Sequence, residues 1–117
     1  QKLEIYFLES VSSANPKYWL RNFKAIIKLS RYFTKKKIDI VQTHEFFTGT
    51  LGRIAAIIAK VPVKILMVHN CDRWKRPYHI LIDRFLSKKT NIIVANSDSV
   101  KKFTSAYENI PINKFIH

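Results

Sequence analysis

The chain has 117 residues, 47% of them hydrophobic, and a single cysteine, so it can bury a core but cannot form an internal disulfide. Twenty-one Lys and Arg against eight Asp and Glu give a net charge of +13, which favours anionic partners: membrane headgroups, nucleotides or nucleic acid. We find no apolar run of the roughly 20 residues that a membrane span needs, no export-signal pattern and no Cys and His spacing of a structural zinc site. We therefore expect a cytoplasmic protein.

The N-terminal third predicts a strand and then a long helix. Residues 3–8, LEIYFL, form a strand-like run. Asn15 can cap a helix that Pro16 opens, and apolar side chains at helical spacing continue it from residue 17 to about residue 37. Its basic side chains recur at alternating steps of four and three along one side: Lys17, Arg21, Lys24, Lys28, Arg31 and Lys35.

This cationic stripe has two interpretations. It could rest on an anionic membrane surface, where each basic group contributes about 1 kcal/mol, or it could be an ordinary solvated face. Nucleic acid would require the same charge, but the sequence has no recognition-helix motif and no RNA-binding aromatic signature. We therefore expect no nucleic-acid partner and keep peripheral binding to the inner membrane face as a hypothesis.

Residues 39–70 predict a strand, a loop, a helix and a second strand. DIVQTH and KILMVH are strand-like runs, and TLGRIAAIIAK between them has apolar residues at helical spacing. Parallel strands joined by so short a crossover end at the same edge of a sheet, where open α/β sheets bind their ligands. His44 and His69, which end the two strands, are therefore expected to share that edge.

The last third continues the alternation of helices and strands. Pro77 opens a helix that runs to about residue 89, NIIVANS is a strand, and Ser97 or Asp98 caps a helix that reaches about residue 107. PINKFIH predicts the entry to a further strand. The fold class is therefore α/β, a Rossmann-like parallel sheet with helices on both faces.

The two histidines are the first candidates for chemistry. An imidazole titrates near neutral pH and offers both a donor and an acceptor, although a single loop histidine can also be merely hydrogen-bonded in place. Two of them at the carboxyl ends of neighbouring strands favour a functional interpretation, and Asn70 adds a directional amide beside His69. His79 and His117 are given no such placement.

The glycines and acids give weaker signals. Gly49 and Gly52 are expected to bracket the start of the central helix, either for a tight turn and ligand approach or for close packing of helix on strand. Their spacing is not that of a dinucleotide-binding loop. The acids are too scattered for a paired-carboxylate mechanism, and Asp83 is expected to be a salt-bridge or helix-dipole residue among the nearby Arg84 and Lys88.

The ordered series of segments over roughly residues 38–117 resembles the N-terminal domain of the retaining family 4 glycosyltransferases. In those proteins a DIVH.H segment leads into a helix beginning G-R-x-A-A and then a VPV strand that ends in His. The run IDRFLSKKTNIIVANSDSVKKF is similar to their next helix, strand and S-x-x-V-K helix, and PINKFIH to the stretch before their Asn-Gly-Val-Asp interdomain motif.

The resemblance implies a GT-B architecture of two Rossmann-like domains, of which residues 1–117 would be part of the N-terminal, acceptor-side one. The donor-binding domain with its Glu-x7-Glu motif is absent, and so is the glycine-rich loop after the family's first strand, so we expect the fragment to be inactive alone. His69 would lie near the transferred sugar as the catalytic residue. The acceptor side would be formed by His44, Thr48, Thr50, Asn70 and Ser97. The resemblance implies no metal or other cofactor, and it matches the cationic stripe to the family's membrane-binding helix.

The function expected from the resemblance is transfer of a hexosyl group from a nucleotide sugar to a glycan or lipid-linked acceptor, in polysaccharide or glycolipid biosynthesis. Two alternatives stay open. A sugar-nucleotide epimerase shares the two-domain architecture, and a non-catalytic basic module could bind anionic lipid or nucleic acid. The donor sugar, the acceptor, the linkage and the oligomeric state do not follow from the sequence.

Overall fold

A computed structural model of the chain describes the backbone of residues 16–117 and the side chains of residues 22–117. The elements are α1 (Pro16–Lys35), β1 (Ile40–His44), α2 (Phe46–Ile58), β2 (Val63–Val68), α3 (Pro77–Ser87), β3 (Ile92–Ala95), α4 (Asp98–Glu108), a 3-10 turn (Ile112–Lys114) and β4 (Phe115–Ile116). The strand predicted over residues 3–8 lies outside the described residues. The predicted helices and the other predicted strands are all present.

The four strands form one parallel sheet in the order β1-β2-β3-β4. The register pairs His44 with Met67 and Val68 with Ala95, so the strands end nearly level at one edge, here called the carboxyl edge. Parallel strands require crossover connections, and α2, α3 and α4 supply them. The predicted Rossmann-like α/β fold is confirmed.

One face of the sheet carries the core. Alternate strand residues point to it and are buried, among them Leu66, Ile93 and Phe115. Val100 of α4 packs in the same cluster, and Val41 of β1 packs with Ala56 of α2 and Phe33 of α1. Helices α1, α2 and α4 therefore contact this face, and α3 packs against α2 and α4.

The other face of the sheet is the more exposed one within residues 16–117. Ile40 is 59% exposed and Ile116 45% exposed on that face. Each crossover moves one strand further in the same direction, and because such crossovers are right-handed, their helices all lie on one side.

Helix α2 begins earlier than the sequence predicts, and this changes the interpretation of the two glycines. Both lie inside the helix and neither has a positive φ. A Cβ on Gly49 would come within 2.8 Å of Leu66 Cδ1, and one on Gly52 would overlap the Thr43 side chain. The glycines allow α2 to lie close against β1 and β2; the alternative of a tight turn with a positive φ is not observed.

The cationic stripe lies on α1. The side chains of Lys24, Lys28, Arg31 and Lys35 are exposed, whereas Ala25 and Leu29 are buried. Lys17 and Arg21 lie in the same helix, and their side chains are outside the described residues.

Candidate active site

The two predicted histidines meet at the carboxyl edge of the sheet. His44 ends β1 and His69 directly follows β2, and His44 Nδ1 lies 2.9 Å from His69 Nε2, a hydrogen-bonding distance. The ring planes are nearly parallel, 11° apart. The expected common edge is therefore observed, while the catalytic and binding roles assigned to the two residues remain predictions.

A short hydrogen-bonded relay runs through this pair. Gln42 Nε2 lies 3.3 Å from His44 Nε2, and as an amide nitrogen it donates. With the Gln42 amide donating, the 2.9 Å contact fits a hydrogen bond that His44 Nδ1 donates to His69 Nε2. In this arrangement Nδ1 is the ring nitrogen of His69 that is left to form a hydrogen bond with a hydroxyl group at the edge.

The residue after His44 has an unusual backbone. Glu45 has φ 66° and ψ −178°, a region that residues with a side chain rarely occupy, so its conformation is strained. Its N–H donates to the carbonyl of Met67 over 3.1 Å, which ties the turn to β2. The chain passes from β1 into α2 through this single residue, so the predicted loop does not exist and the start of α2 lies beside the histidine pair.

The predicted threonines have different environments. Thr48 is exposed near the start of α2, where an acceptor could reach it. Thr50 is half-buried, and its hydroxyl is enclosed without a hydrogen-bond partner among the residues that the structure describes. Direct contact with an acceptor is therefore more readily made by Thr48.

Asn70 and Ser97 complete the predicted set. Asn70 is exposed directly after His69. Ser97 follows β3 at the same edge and caps α4, where its hydroxyl accepts from the N–H of Val100 over 3.2 Å. The predicted cap is confirmed, and a substrate contact by Ser97 would share the hydroxyl with the helix.

His117 also lies at this edge, contrary to its sequence-based placement. It directly follows β4, which pairs in parallel with β3. In the described sheet β3 lies between β4 and β2, so His117 lies at the same edge but apart from the histidine pair. Because β4 has two residues, the sequence pattern does not indicate that His117 directly follows a strand.

Beneath the carboxyl edge lies a set of charges that we call the buried ion cluster: Arg53, Lys75, Asp83 and Glu108. Arg53 Nη2 donates to Asp83 Oδ1 over 2.6 Å, and Lys75 Nζ donates to both Asp83 Oδ2 and Glu108 Oε2 over 2.9 Å. All four side chains are at most 5% exposed. Asp83 is the expected salt-bridge residue, but its partners are Arg53 and Lys75 and not the nearby Arg84 and Lys88, whose side chains are exposed.

The cluster changes the protonation of its members. Burial, together with the hydrogen bond and charge of Asp83, raises the pKa of Glu108 to about 8. Burial alone would raise the pKa of Asp83, but the hydrogen bond from Glu108 and the charges of Lys75 and Arg53 lower it. Burial alone would lower the pKa of Lys75, but the two carboxyl groups raise it. The raised pKa of Glu108 and the lowered pKa of Asp83 favour a shared proton held on Glu108, from which it can be donated to the Asp83 carboxylate.

Between residues 16 and 117, no helix is both long and apolar enough to cross a membrane. Over the same part of the chain, no three His, Cys, Asp or Glu side chains are grouped so that they could hold a metal ion.

A parallel sheet whose strands are joined by helical crossovers, with paired histidines at its carboxyl edge, defines an α/β domain of the Rossmann-like type. The model of Glycosyltransferase Family 4 matches residues 3–115, and the chain belongs to that family.

Two curated proteins illustrate the similarity. The chain is 46% identical over 51 residues to the UDP-Gal:alpha-D-GlcNAc-diphosphoundecaprenol alpha-1,3-galactosyltransferase of Escherichia coli, which covers 44% of this chain and 13% of that protein. It is 32% identical over 85 residues to an uncharacterized 41.2 kDa protein in the cps region of Klebsiella pneumoniae, covering 64% of this chain and 23% of that protein. The matched part is thus less than a quarter of the length of either relative.

Proposed function

We propose that this chain forms the acceptor-side part of a hexosyltransferase that transfers a sugar from a nucleotide-sugar donor to a lipid-linked or glycan acceptor. The observation that carries the proposal is the hydrogen-bonded pair of His44 and His69 at the carboxyl edge. Family membership supports the reaction class, and the galactosyltransferase relative supports a diphospholipid-linked sugar as the acceptor.

The role that we propose for His69 is donation of a hydrogen bond to the sugar being transferred. An N–H held in one direction by the relay from Gln42 through His44 can stabilise charge on a sugar oxygen without reorganising during the reaction. Thr48, Asn70, Ser97 and, after a small local movement, Thr50 would contact the acceptor. No step in this proposal requires a metal or another cofactor.

The test is His69→Ala in the full-length protein, assayed with a labelled nucleotide sugar and a lipid-linked GlcNAc-diphosphate acceptor. Because the ring is only partly buried, we expect turnover to fall by about 100-fold or more while the unfolding midpoint is unchanged. Asn113→Ala, in the exposed 3-10 turn, is the matched control and should leave both unchanged. Unchanged turnover in His69→Ala contradicts the role, and an epimerised nucleotide sugar as product contradicts the reaction class.

We also propose that the stripe on α1 attracts the protein to an anionic membrane surface, which for a cytoplasmic enzyme is the inner face of the membrane. Four described lysine and arginine side chains are exposed along it, and each contributes about 1 kcal/mol near anionic lipid. Lys24→Gln with Lys28→Gln should weaken vesicle binding at low salt and have little effect at high salt. Equal binding of this variant and wild type at low salt contradicts the assignment.

A further inference from the structure

Aromatic rings gather where α2 and α3 begin, and two of them reach solvent. Phe47 and Trp74 stack with nearly parallel planes, 9° apart, and with their ring centroids 5.7 Å apart. They are 40% and 48% exposed. Parallel rings at this centroid distance are displaced sideways, so each ring leaves part of a face uncovered. We call this exposed pair, Phe47 and Trp74, the aromatic platform.

Two further rings support the platform from inside. The buried Phe46 ring meets Phe47 and Trp74 edge to face, with centroids 5.2 Å and 5.7 Å away. His79 meets Trp74 in the same way at 5.1 Å. Burial of the imidazole and the positive charge of Arg76 lower the pKa of His79, which favours the neutral ring. The support is therefore apolar and closely packed.

The backbone on both sides of Trp74 is held by α4. The Tyr107 hydroxyl lies 3.1 Å from the carbonyl oxygen of Arg73 and 3.2 Å from that of Lys75, and it is placed to donate to either. The side chain of Lys75 is also anchored in the buried ion cluster. An exposed ring that is already held in one orientation loses little conformational freedom when a ligand covers it.

The platform lies beside the candidate site. Phe47 comes three residues after His44, so the chain allows at most about 11 Å between their Cα atoms, which is the scale of a disaccharide. Thr48, proposed above to contact the acceptor, directly follows Phe47, and Glu45 directly precedes Phe46. This part of the edge therefore carries a carboxylate and a hydroxyl group next to the exposed rings.

A pyranose ring matches this combination of groups. Its C–H groups form an apolar face that packs on an aromatic ring, because the negative face of the ring attracts the slightly positive hydrogens. Its hydroxyl groups lie around the rim, where the Glu45 carboxylate and the Thr48 hydroxyl can bond them. A hydrocarbon chain would use the rings but gain nothing from the polar groups. Aromatic walls with a few polar groups beside them are typical of sites for small ligands.

We propose that the aromatic platform is a subsite for a pyranose ring of the acceptor, with Trp74 and Phe47 packing on one face of the sugar. This inference deepens the proposed function, on which it rests: His69 acts at the transferred sugar, and the platform holds the acceptor. A stacking contact of this kind is the same before and in the transition state, so it determines which acceptor binds and not the rate of the chemical step.

Binding is tested by titrating the full-length protein with a water-soluble ester of GlcNAc diphosphate. The signal to follow is the indole N–H of Trp74 in proton–nitrogen NMR spectra, which Trp74→Phe identifies by removing it. We expect this signal to shift to saturation with the ester and to stay in place with uridine diphosphate, which has no pyranose ring. An unmoved signal with the ester overturns the proposal, and a shift with uridine diphosphate alone places a nucleobase on the platform and also overturns it.

Kinetics separate acceptor binding from a structural role of Trp74. Trp74→Leu should raise the KM for the acceptor by about threefold to tenfold and leave kcat and the KM for the nucleotide sugar near wild type. Trp74→Phe keeps a flat ring and should retain most of the affinity. Phe85→Leu, at a ring 63% exposed farther along α3, is the matched control and should change neither constant.

Three kinetic results contradict the platform. They are a wild-type acceptor KM in Trp74→Leu, an equal rise of that KM in Phe85→Leu, and a fall in kcat at unchanged KM, which would assign Trp74 to structure. The melting temperature of Trp74→Leu is measured beside wild type, because the substitution also removes ring contacts. If this variant does not fold, the NMR titration decides alone, since it uses the wild-type protein.

The failure of the platform is distinguishable from the failure of the proposed function. If wild type transfers sugar to the GlcNAc diphosphate ester while the Trp74 signal stays in place, the platform fails and the sugar-transfer proposal stands. If the ester shifts the signal but no sugar is transferred to it, the enzymatic proposal fails and the platform remains a sugar-binding site.

Discussion

Two groups of polar side chains in this domain differ in their exposure to solvent: one is exposed and the other is buried. The histidine pair at the carboxyl edge is open to solvent, bonded over 2.9 Å, and held by a single relay from Gln42. The buried ion cluster is at most 5% exposed, and three hydrogen bonds between its side chains link α2, α3, α4 and the segment before α3. The first can be changed at little cost in folding and the second cannot, so stability and activity should be separable in this chain.

The largest expected effect is on stability, from Asp83→Ala. Removing this carboxylate leaves Arg53 and Lys75 charged in the interior without their shared partner, which costs about 3–5 kcal/mol of unfolding free energy. Urea unfolding measures it. The control is Asp98→Ala, whose pairing with Lys102 is exposed to solvent and should leave the midpoint where it is. A wild-type midpoint for Asp83→Ala means that the cluster does not hold the helices together.

The second effect is a pH dependence that only the cluster should have. The folded pKa of Glu108, about 8, lies above its ordinary value of 4.5, so its contribution to stability is full below pH 4.5 and is lost as the pH rises through 8. Asp83 has a lowered pKa, so its contribution is present above its ordinary value of 3.8 and is lost on acidification. Unfolding free energy should therefore fall between pH 5 and pH 9.

Glu108→Gln isolates the Glu108 contribution. Glutamine keeps an N–H for Asp83 and an oxygen for Lys75 but cannot ionise, so the decline between pH 5 and pH 9 should flatten. Urea titrations at pH 5, 7 and 9 compare the variant with wild type. An equally steep decline in both proteins would assign the dependence to other groups.

Helix α2 links the two groups, and a substitution that shifts it tests whether they are mechanically connected. A Cβ at Gly52 overlaps the Thr43 side chain, so Gly52→Ala should cost about 1–3 kcal/mol despite the better helix propensity of alanine. Adding Thr43→Ala removes the obstacle, so the double variant should lose less stability than the two single losses combined. Thr48→Ala, exposed on the same helix, is the control. If the free-energy losses of the two single variants simply add up in the double variant, the structure relieves the overlap between position 52 and Thr43 by itself.

The contrast between the two groups also explains what the sequence could predict. His44 and His69 end apolar runs, and because parallel strands end at one edge, the chain order alone places them together. No comparable rule locates the ion cluster, because Arg53, Asp83 and Glu108 lie on three helices whose rotation about their axes decides the pairing. The sequence contains one indication of it. Asp83 falls on the side of α3 opposite Tyr78 and Phe85, a pattern that is compatible with a helix side that is both buried and charged.

The sequence does not indicate that α2 begins at Phe46, for a different reason. The run EFFTG reads as a loop, since two aromatics, a threonine and a glycine are modest helix formers. The structure makes it the first turn of the helix, because Glu45 takes the strained conformation and the two glycines let the helix lie against β1 and β2. Close packing between elements therefore overrides local preference at the position where the candidate site is built.

The smallest expected effect is on kcat and concerns the histidine pair at the carboxyl edge alone. Gln42→Leu removes the donor to His44 Nε2 at an exposed position, so the unfolding free energy should fall by about 1 kcal/mol or less, far less than in Asp83→Ala. The lost hydrogen bond, worth about 0.5–1.5 kcal/mol, frees the relay to take the other tautomer and should lower kcat by roughly threefold to tenfold with little effect on the KM for the acceptor. Nitrogen NMR of the His69 ring measures the tautomer directly. If kcat falls while the tautomer is unchanged, Gln42 acts on the substrate itself and the relay is not the means by which His69 is oriented.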